Sequence, residues 1–134
     1  MCDKNMFVAI IATLILCSLN ISPSYAAEKQ PVVRMAHIVV KPGMRDAFIA
    51  AVTEGMRTSV QVEPGVLALY CVADKEHPDK LIFFEIYASE KAYQSHRATP
   101  HFKKYIKITK DMSISKSLLE TMPVELQDKW HQGN

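Results

Sequence analysis

Glu85 interrupts an otherwise apolar segment, Leu81 to Ala88 (LIFFEIYA), where alternation puts it on the face of Leu81, Phe83 and Tyr87. A carboxylate there costs several kcal/mol unless it is paired or borders a wet pocket. It is therefore either a structural Glu bonded to an Arg or a backbone amide, or a site residue. The chain has five histidines. His77 and His131 lie in polar segments and read as solvated bystanders. His96 and His101 flank Pro100, close to Tyr93, Phe102 and Tyr105. Five positions apart on a helix, they would point roughly 140° away from each other, unlike the same-face spacing of zinc enzymes. No cysteine or carboxylate cluster accompanies them, so no metal site is expected. His37 alternates with Met35 and Val39 and reads first as a satisfied core histidine. The seven methionines form no cluster with histidine that would hold copper. Nucleophile elbow, phosphate loop and dinucleotide fingerprint are all missing.

The elements that must position these residues follow from periodicity and turn chemistry. Val32 to Val40 (VVRMAHIVV) is β-branched and ends at Lys41-Pro42-Gly43, a strand and then a turn. From Met44 to Val62 the rhythm is helical, with Phe48, Ala51, Val52, Met56, Ser59 and Val60 on one stripe. Glu63-Pro64-Gly65 stops that helix. Val66 to Ala73 and Leu81 to Ala88 read as a strand hairpin across a polar connection. Ser89 is a good N-cap for the next helix, which Pro100 interrupts before a further helical piece, HFKKYIKITKDM. Ser117 to Leu126 is expected to be the fourth strand. The order β-α-β-β-α-β predicts an α+β, ferredoxin-like fold with a four-stranded antiparallel sheet. Both faces of its central strands are apolar, yet the helices can cover only one. A second copy packed sheet to sheet would cover the other, which predicts an obligate homodimer.

Length and composition set the limits on this picture. The chain has 134 residues, 49% of them hydrophobic and 22% charged, with a formal net charge of +2. That suits one globular domain, and the balanced charge argues against a nucleic-acid partner. Phe7 to Leu19 is an apolar run after Lys4, followed by Pro23-Ser24-Tyr25-Ala26-Ala27. These features predict a secretory signal peptide over 1–26, cut between Ala26 and Ala27. A retained membrane anchor is the alternative, but a span needs roughly 20 apolar residues. A lipoprotein at Cys17 would want a small residue where Leu16 stands. Cleavage leaves 108 of the 134 residues: a polar linker at 27–31, a domain at 32–126 and a polar tail at 127–134. The mature protein is then expected to be exported, periplasmic and free of the membrane. Cys71 would be its single cysteine, inside an apolar run (LALYCVA) that favours a buried, inert thiol.

The segment from Met35 to Tyr105 resembles the antibiotic biosynthesis monooxygenase (ABM) domain, in the small dimeric α/β barrel superfamily that includes the quinol monooxygenases. The resemblance is carried by Lys41-x-Gly43, Glu63-Pro64-Gly65, Tyr70, Phe84-Glu85-x-Tyr87-x-Ser89 and, most specifically, His96-x-x-Thr99-Pro100-His101-Phe102. Tyr87 stands where the family commonly has Trp. The resemblance implies oxygenation of a small, quinol-like aromatic by O₂ without flavin, haem or metal. A substrate that loses a phenolic proton becomes an electron-rich anion able to reduce O₂, given a base, oxyanion donors and an apolar cavity. On that basis His96 would be the base or oxyanion partner, and Glu85 its orienter or the alternative base. Tyr87, Tyr70 and Phe102 would line the substrate pocket, with His37 and His101 as further candidates.

The superfamily is functionally mixed, so the fold alone does not fix the reaction. Haem-degrading relatives carry a histidine iron ligand late in the second helix, a register that falls near Ile106, which cannot ligate iron. Another branch isomerises phosphorylated autoinducer-2, a cytoplasmic metabolite that sits poorly with export. A non-catalytic dimer binding small apolar ligands is the alternative from a different class.

Overall fold

The computed structural model describes residues 30–127. The leader expected at 1–26, most of the linker at 27–31 and all of the tail beyond 127 lie outside the described residues. The elements run β1 (Val32–Val40), α1 (Arg45–Val62), β2 (Val66–Ala73), β3 (Lys80–Tyr87), α2 (Glu90–Ala98), α3 (Pro100–Thr109) and β4 (Ser113–Thr121). Four strands form one antiparallel sheet in the order β2-β3-β1-β4, with the helices on one face, which is the ferredoxin-like arrangement. Among the described residues no helix is long and apolar enough to cross a membrane.

The alternation read from the sequence places the core. Ala36, Ile38 and Val40 of β1 share the helix-facing side with Leu81 and Phe83 of β3. Phe48 and Val52 of α1 pack onto them. Burying an aromatic such as Phe48 contributes about 2 kcal/mol, and its ring meets Tyr105 of α3 edge-on at 6.2 Å. A second cluster, Val66, Tyr87 and Tyr93, joins the hairpin to α2.

The other sheet face is largely uncovered. Met35 pairs with Phe84, which pairs with Tyr70, while His37 pairs with Ile82, which pairs with Val72. Tyr70, Val72 and Leu119 are exposed on this side. His37 is exposed as well, so it is not the core histidine the alternation suggested. The alternation was right, but it cannot say which face the helices take.

The fourth strand also differs from expectation. It runs over Ser113–Thr121 rather than from Ser117 to Leu126, because β1 accepts partners only from Ser113, opposite Val40, to Thr121, opposite Val33. Pro123, with no amide hydrogen to donate, lies just beyond. The polar lead-in Ser113-Ile114-Ser115-Lys116 masked the strand because it edges the sheet and is exposed.

Two tight places connect these elements. Gly43 adopts φ 79°, a left-handed turn between β1 and α1 that suits glycine. Gly65 is required for a different reason, since a Cβ there would lie 2.5 Å from the Cβ of Ala92. The carbonyl of Gly65 also accepts the amide of Ala88 at 2.9 Å, so the turn before β2 is clamped against the start of α2. Gly65→Ala must push α2 outward and is expected to cost about 1–3 kcal/mol, measurable by urea denaturation. Wild-type stability in that variant would show that the close approach is not needed.

Candidate functional site

A cavity of about 350 Å³ lies between the helix-facing side of the sheet and all three helices. Its walls are mostly apolar, from Ile38, Val52, Met56, Leu69, Phe83, Phe102, Tyr105 and Ile106. Glu85, Tyr87 and His96 supply polar groups, with Arg97 and Lys116 also on the lining. Apolar walls with a few convergent polar groups are the usual form of a small-molecule site.

Glu85 reaches the cavity because β3 alternates and its odd-numbered residues face the helices. Tyr87, two residues on and on the same face, donates its hydroxyl to Glu85 Oε2 at 2.8 Å. Burial raises the Glu85 carboxyl above its ordinary value, while the Tyr87 hydrogen bond, the nearby His96 ring and the Arg34 charge oppose the shift without cancelling it. Burial and the neighbouring carboxylate push the Tyr87 phenol far above its usual range, which keeps it a donor. Arg34, the cross-strand neighbour of Glu85, does not bond it; its guanidinium pairs with Glu90 at 2.8 Å and lies over the Tyr93 ring. Glu85 is thus a cavity carboxylate rather than half of a structural ion pair.

His96 is held by α2 and by the junction that follows it. Ser89 caps the helix, its side chain accepting the amide of Ala92 at 3.1 Å, as its type and position suggested. Thr99 then joins two helices. Its hydroxyl donates to the His96 carbonyl at 2.7 Å and accepts the Phe102 amide at 3.3 Å. A residue before proline is driven to extended backbone, and Thr99 sits at φ −66°, ψ 151°. Pro100 opens α3, where its missing amide costs nothing.

That junction overturns the argument from helical spacing. His96 and His101 lie on different helices, so the angle between them on one helix does not apply. The chain turns at Thr99, and both rings meet a single carboxylate oxygen. Glu63 Oε1 accepts from His96 Nδ1 at 2.9 Å and from His101 Nε2 at 2.5 Å. Burial alone would raise the Glu63 carboxyl, but the bonds from His101 and His96 outweigh it and hold the group below the ordinary carboxylate value.

Several expected site residues therefore change place. Glu85, Tyr87, His96 and Phe102 line the cavity. His101 does not line it and lies behind His96, on Glu63. Tyr70 and His37 face the opposite side of the sheet, since their strand parity is that of the uncovered face. His96 bonds Glu63 rather than Glu85, whose partner is Tyr87. Glu63 was missed because Glu-Pro-Gly reads as a helix stop, and its backbone does cap α1, donating to the Ser59 carbonyl at 3.0 Å. The available signal was a carboxylate within the same set of motifs as the two histidines. Ile106 lines the cavity, so an apolar side chain stands at the register expected for a haem ligand. Cys71 is half-buried, and burial followed by the charge of Glu85 pushes its thiol up to about 11, in keeping with an inert cysteine.

A profile of the family described as antibiotic biosynthesis monooxygenase matches residues 31–108. The chain belongs to that family. A solved structure from Bacteroides thetaiotaomicron that carries the family name is 42% identical, with a TM-score of 0.73 over 75% of this chain and 97% of that one. A monooxygenase-named structure from Lactobacillus acidophilus is 34% identical, with a TM-score of 0.66; the match spans 69% of this chain but 44% of that longer one. An uncharacterized Synechocystis protein is 27% identical over 115 residues, 81% of this chain and 78% of its own. In this ABM-family chain Glu85, His96 and all of the cavity lining except Lys116, Ser117 and Leu118 fall within the matched region.

Because the folded-state carboxyl of Glu85 titrates above its ordinary 4.5, its ionisation opposes folding once pH rises past that value. Glu85→Gln keeps an acceptor for Tyr87 and removes the buried charge. The variant is expected to be more stable than wild type at about pH 8, with the gain gone by about pH 4. Denaturation midpoints at the two pH values check this, and a gain independent of pH would contradict it.

Proposed function

We propose that this ABM-family protein is an exported, homodimeric monooxygenase that oxygenates a small quinol-like aromatic with O₂ and needs no flavin, haem or metal. One observation carries the reading: a carboxylate and a histidine border the same apolar, ligand-sized cavity in a chain of this family. The bond from Nδ1 to Glu63 selects the tautomer in which His96 Nε2 is a proton acceptor. His96 is then the base that takes a phenolic proton, and Glu63 is the residue that positions it, as the carboxylate does in a carboxylate–histidine pair. Glu85 is the carboxylate that lines the cavity itself. Its raised affinity for a proton suits it to share a hydrogen with a second ring hydroxyl, with Tyr87 holding its orientation.

The deprotonated ring passes electrons to O₂ directly. One oxygen atom enters the ring and the other leaves as water, and oxidation of the dihydroxy ring to a quinone supplies the remaining electrons. No separate reductant is required. Apolar walls slow the escape of the anion to water and leave O₂ soluble at the site.

His96→Ala and Glu85→Ala, assayed with hydroquinones in an oxygen electrode, are each expected to lower turnover about 10²-fold or more. Unchanged turnover in both would sink the assignment, and ligand binding without any oxygen uptake by wild type would make the protein a binder.

The dimer part of the proposal rests on the uncovered sheet face with Met35, Ile82, Phe84 and Leu119. Sedimentation of the mature chain is expected to give twice the monomer mass, and Phe84→Asp to shift it to monomer. A monomeric wild type at micromolar concentration would refute this.

A further inference from the structure

We propose that Glu63, His96 and His101 bind one divalent transition ion of the zinc type. The three donor atoms, one carboxylate oxygen and two ring nitrogens, lie within 4.8 Å of one another. Two imidazoles and a carboxylate form a ligand set that suits borderline metals such as Zn²⁺ or Co²⁺. It contains no thiolate to favour Cu(I), and too few oxygens for Ca²⁺ or Mg²⁺.

The elements that carry the donors are held together before any ion arrives. They come from the end of α1, from α2 and from α3, and the Thr99-Pro100 junction fixes the last two relative to each other. The His96 ring is packed against Tyr87 and Phe102, with centroids at 5.3 and 4.8 Å. The side chains of His96, Glu63 and His101 are 7%, 11% and 18% exposed, so little bulk water competes for the position. An ion with bonds of about 2.0–2.2 Å needs its donors about 3.3 Å apart in a tetrahedral site. The carboxylate now stands 2.9 and 2.5 Å from the two nitrogens and must withdraw by less than about 1 Å. Donors up to 4.8 Å apart must close by about 1.5 Å, within reach of small side-chain rotations. An uncharged imidazole that gives Nδ1 to the ion carries its proton on Nε2. The ion and the proton-accepting role of His96 therefore exclude each other, and the metal would be an inhibitor. This consequence rests on the function proposed above; the binding site does not.

The test uses the mature chain, stripped with a chelator and titrated with Co²⁺. The expected result is one Co²⁺ per chain with visible d–d bands, displaced by one equivalent of Zn²⁺. His101→Gln and Glu63→Gln should each weaken Co²⁺ binding at least tenfold, with circular dichroism confirming that they are folded. Absence of visible bands in wild type would overturn the site, as would equal Co²⁺ affinity in wild type and folded His101→Gln. Neither readout needs a substrate, so a protein that never consumes O₂ still tests the site. If hydroquinone turnover is found, Zn²⁺ at one equivalent should abolish it in wild type. Full turnover with Zn²⁺ bound would overturn the inhibitory role.

Discussion

A single carboxylate oxygen organises the helical side of this molecule. Glu63 Oε1 accepts ring hydrogens from His96 and His101, which ties the end of the long first helix to both of the short helices that follow β3. Burial should discourage an ionised carboxyl there, and two donated hydrogen bonds reverse that tendency. The bond also fixes which edge of His96 is occupied. The chemistry available at the cavity therefore depends on a residue that does not line it.

Two carboxylates, one lining the cavity and one behind it, stand in opposite circumstances. Glu63 has two ring donors and is held ionised, whereas Glu85 has one phenol and remains reluctant to ionise. Neighbouring acids whose environments push them apart can take different parts in proton transfer. The buried charge costs stability at Glu85, where an apolar residue would not oppose the fold. Tyr87 limits the loss. Its phenol stays protonated through burial and remains a donor to Glu85.

The sheet divides these tasks between its faces. One face carries the core and the cavity, while the other leaves Tyr70, Val72 and Leu119 in the open. The edge strand β4 is exposed along nearly all its length, although Lys116, Ser117 and Leu118 also border the cavity. A partner over β4 would therefore touch the cavity rim as well as the sheet.

By itself the sequence determined what depends on neighbours along the chain. β1 and β2 have the expected bounds, and α1 and β3 lie within a residue of them, because β-branched runs, helical stripes and turns at Pro-Gly and Ser89 are local signals. Glu85 and Tyr87 were legible for the same reason, as two residues on one strand share a face. The break at Pro100 was legible too, but not its outcome. Whether His96 and His101 diverge or converge depends on the direction the chain takes after Thr99, and on a carboxylate more than thirty positions earlier. Which face of β1 and β2 the helices would cover, and so the exposure of His37 and Tyr70, was likewise settled by packing. Alternation in a strand defines two sides. Only the tertiary structure decides which of them is the inside, because burial belongs to the assembled layers and not to the strand.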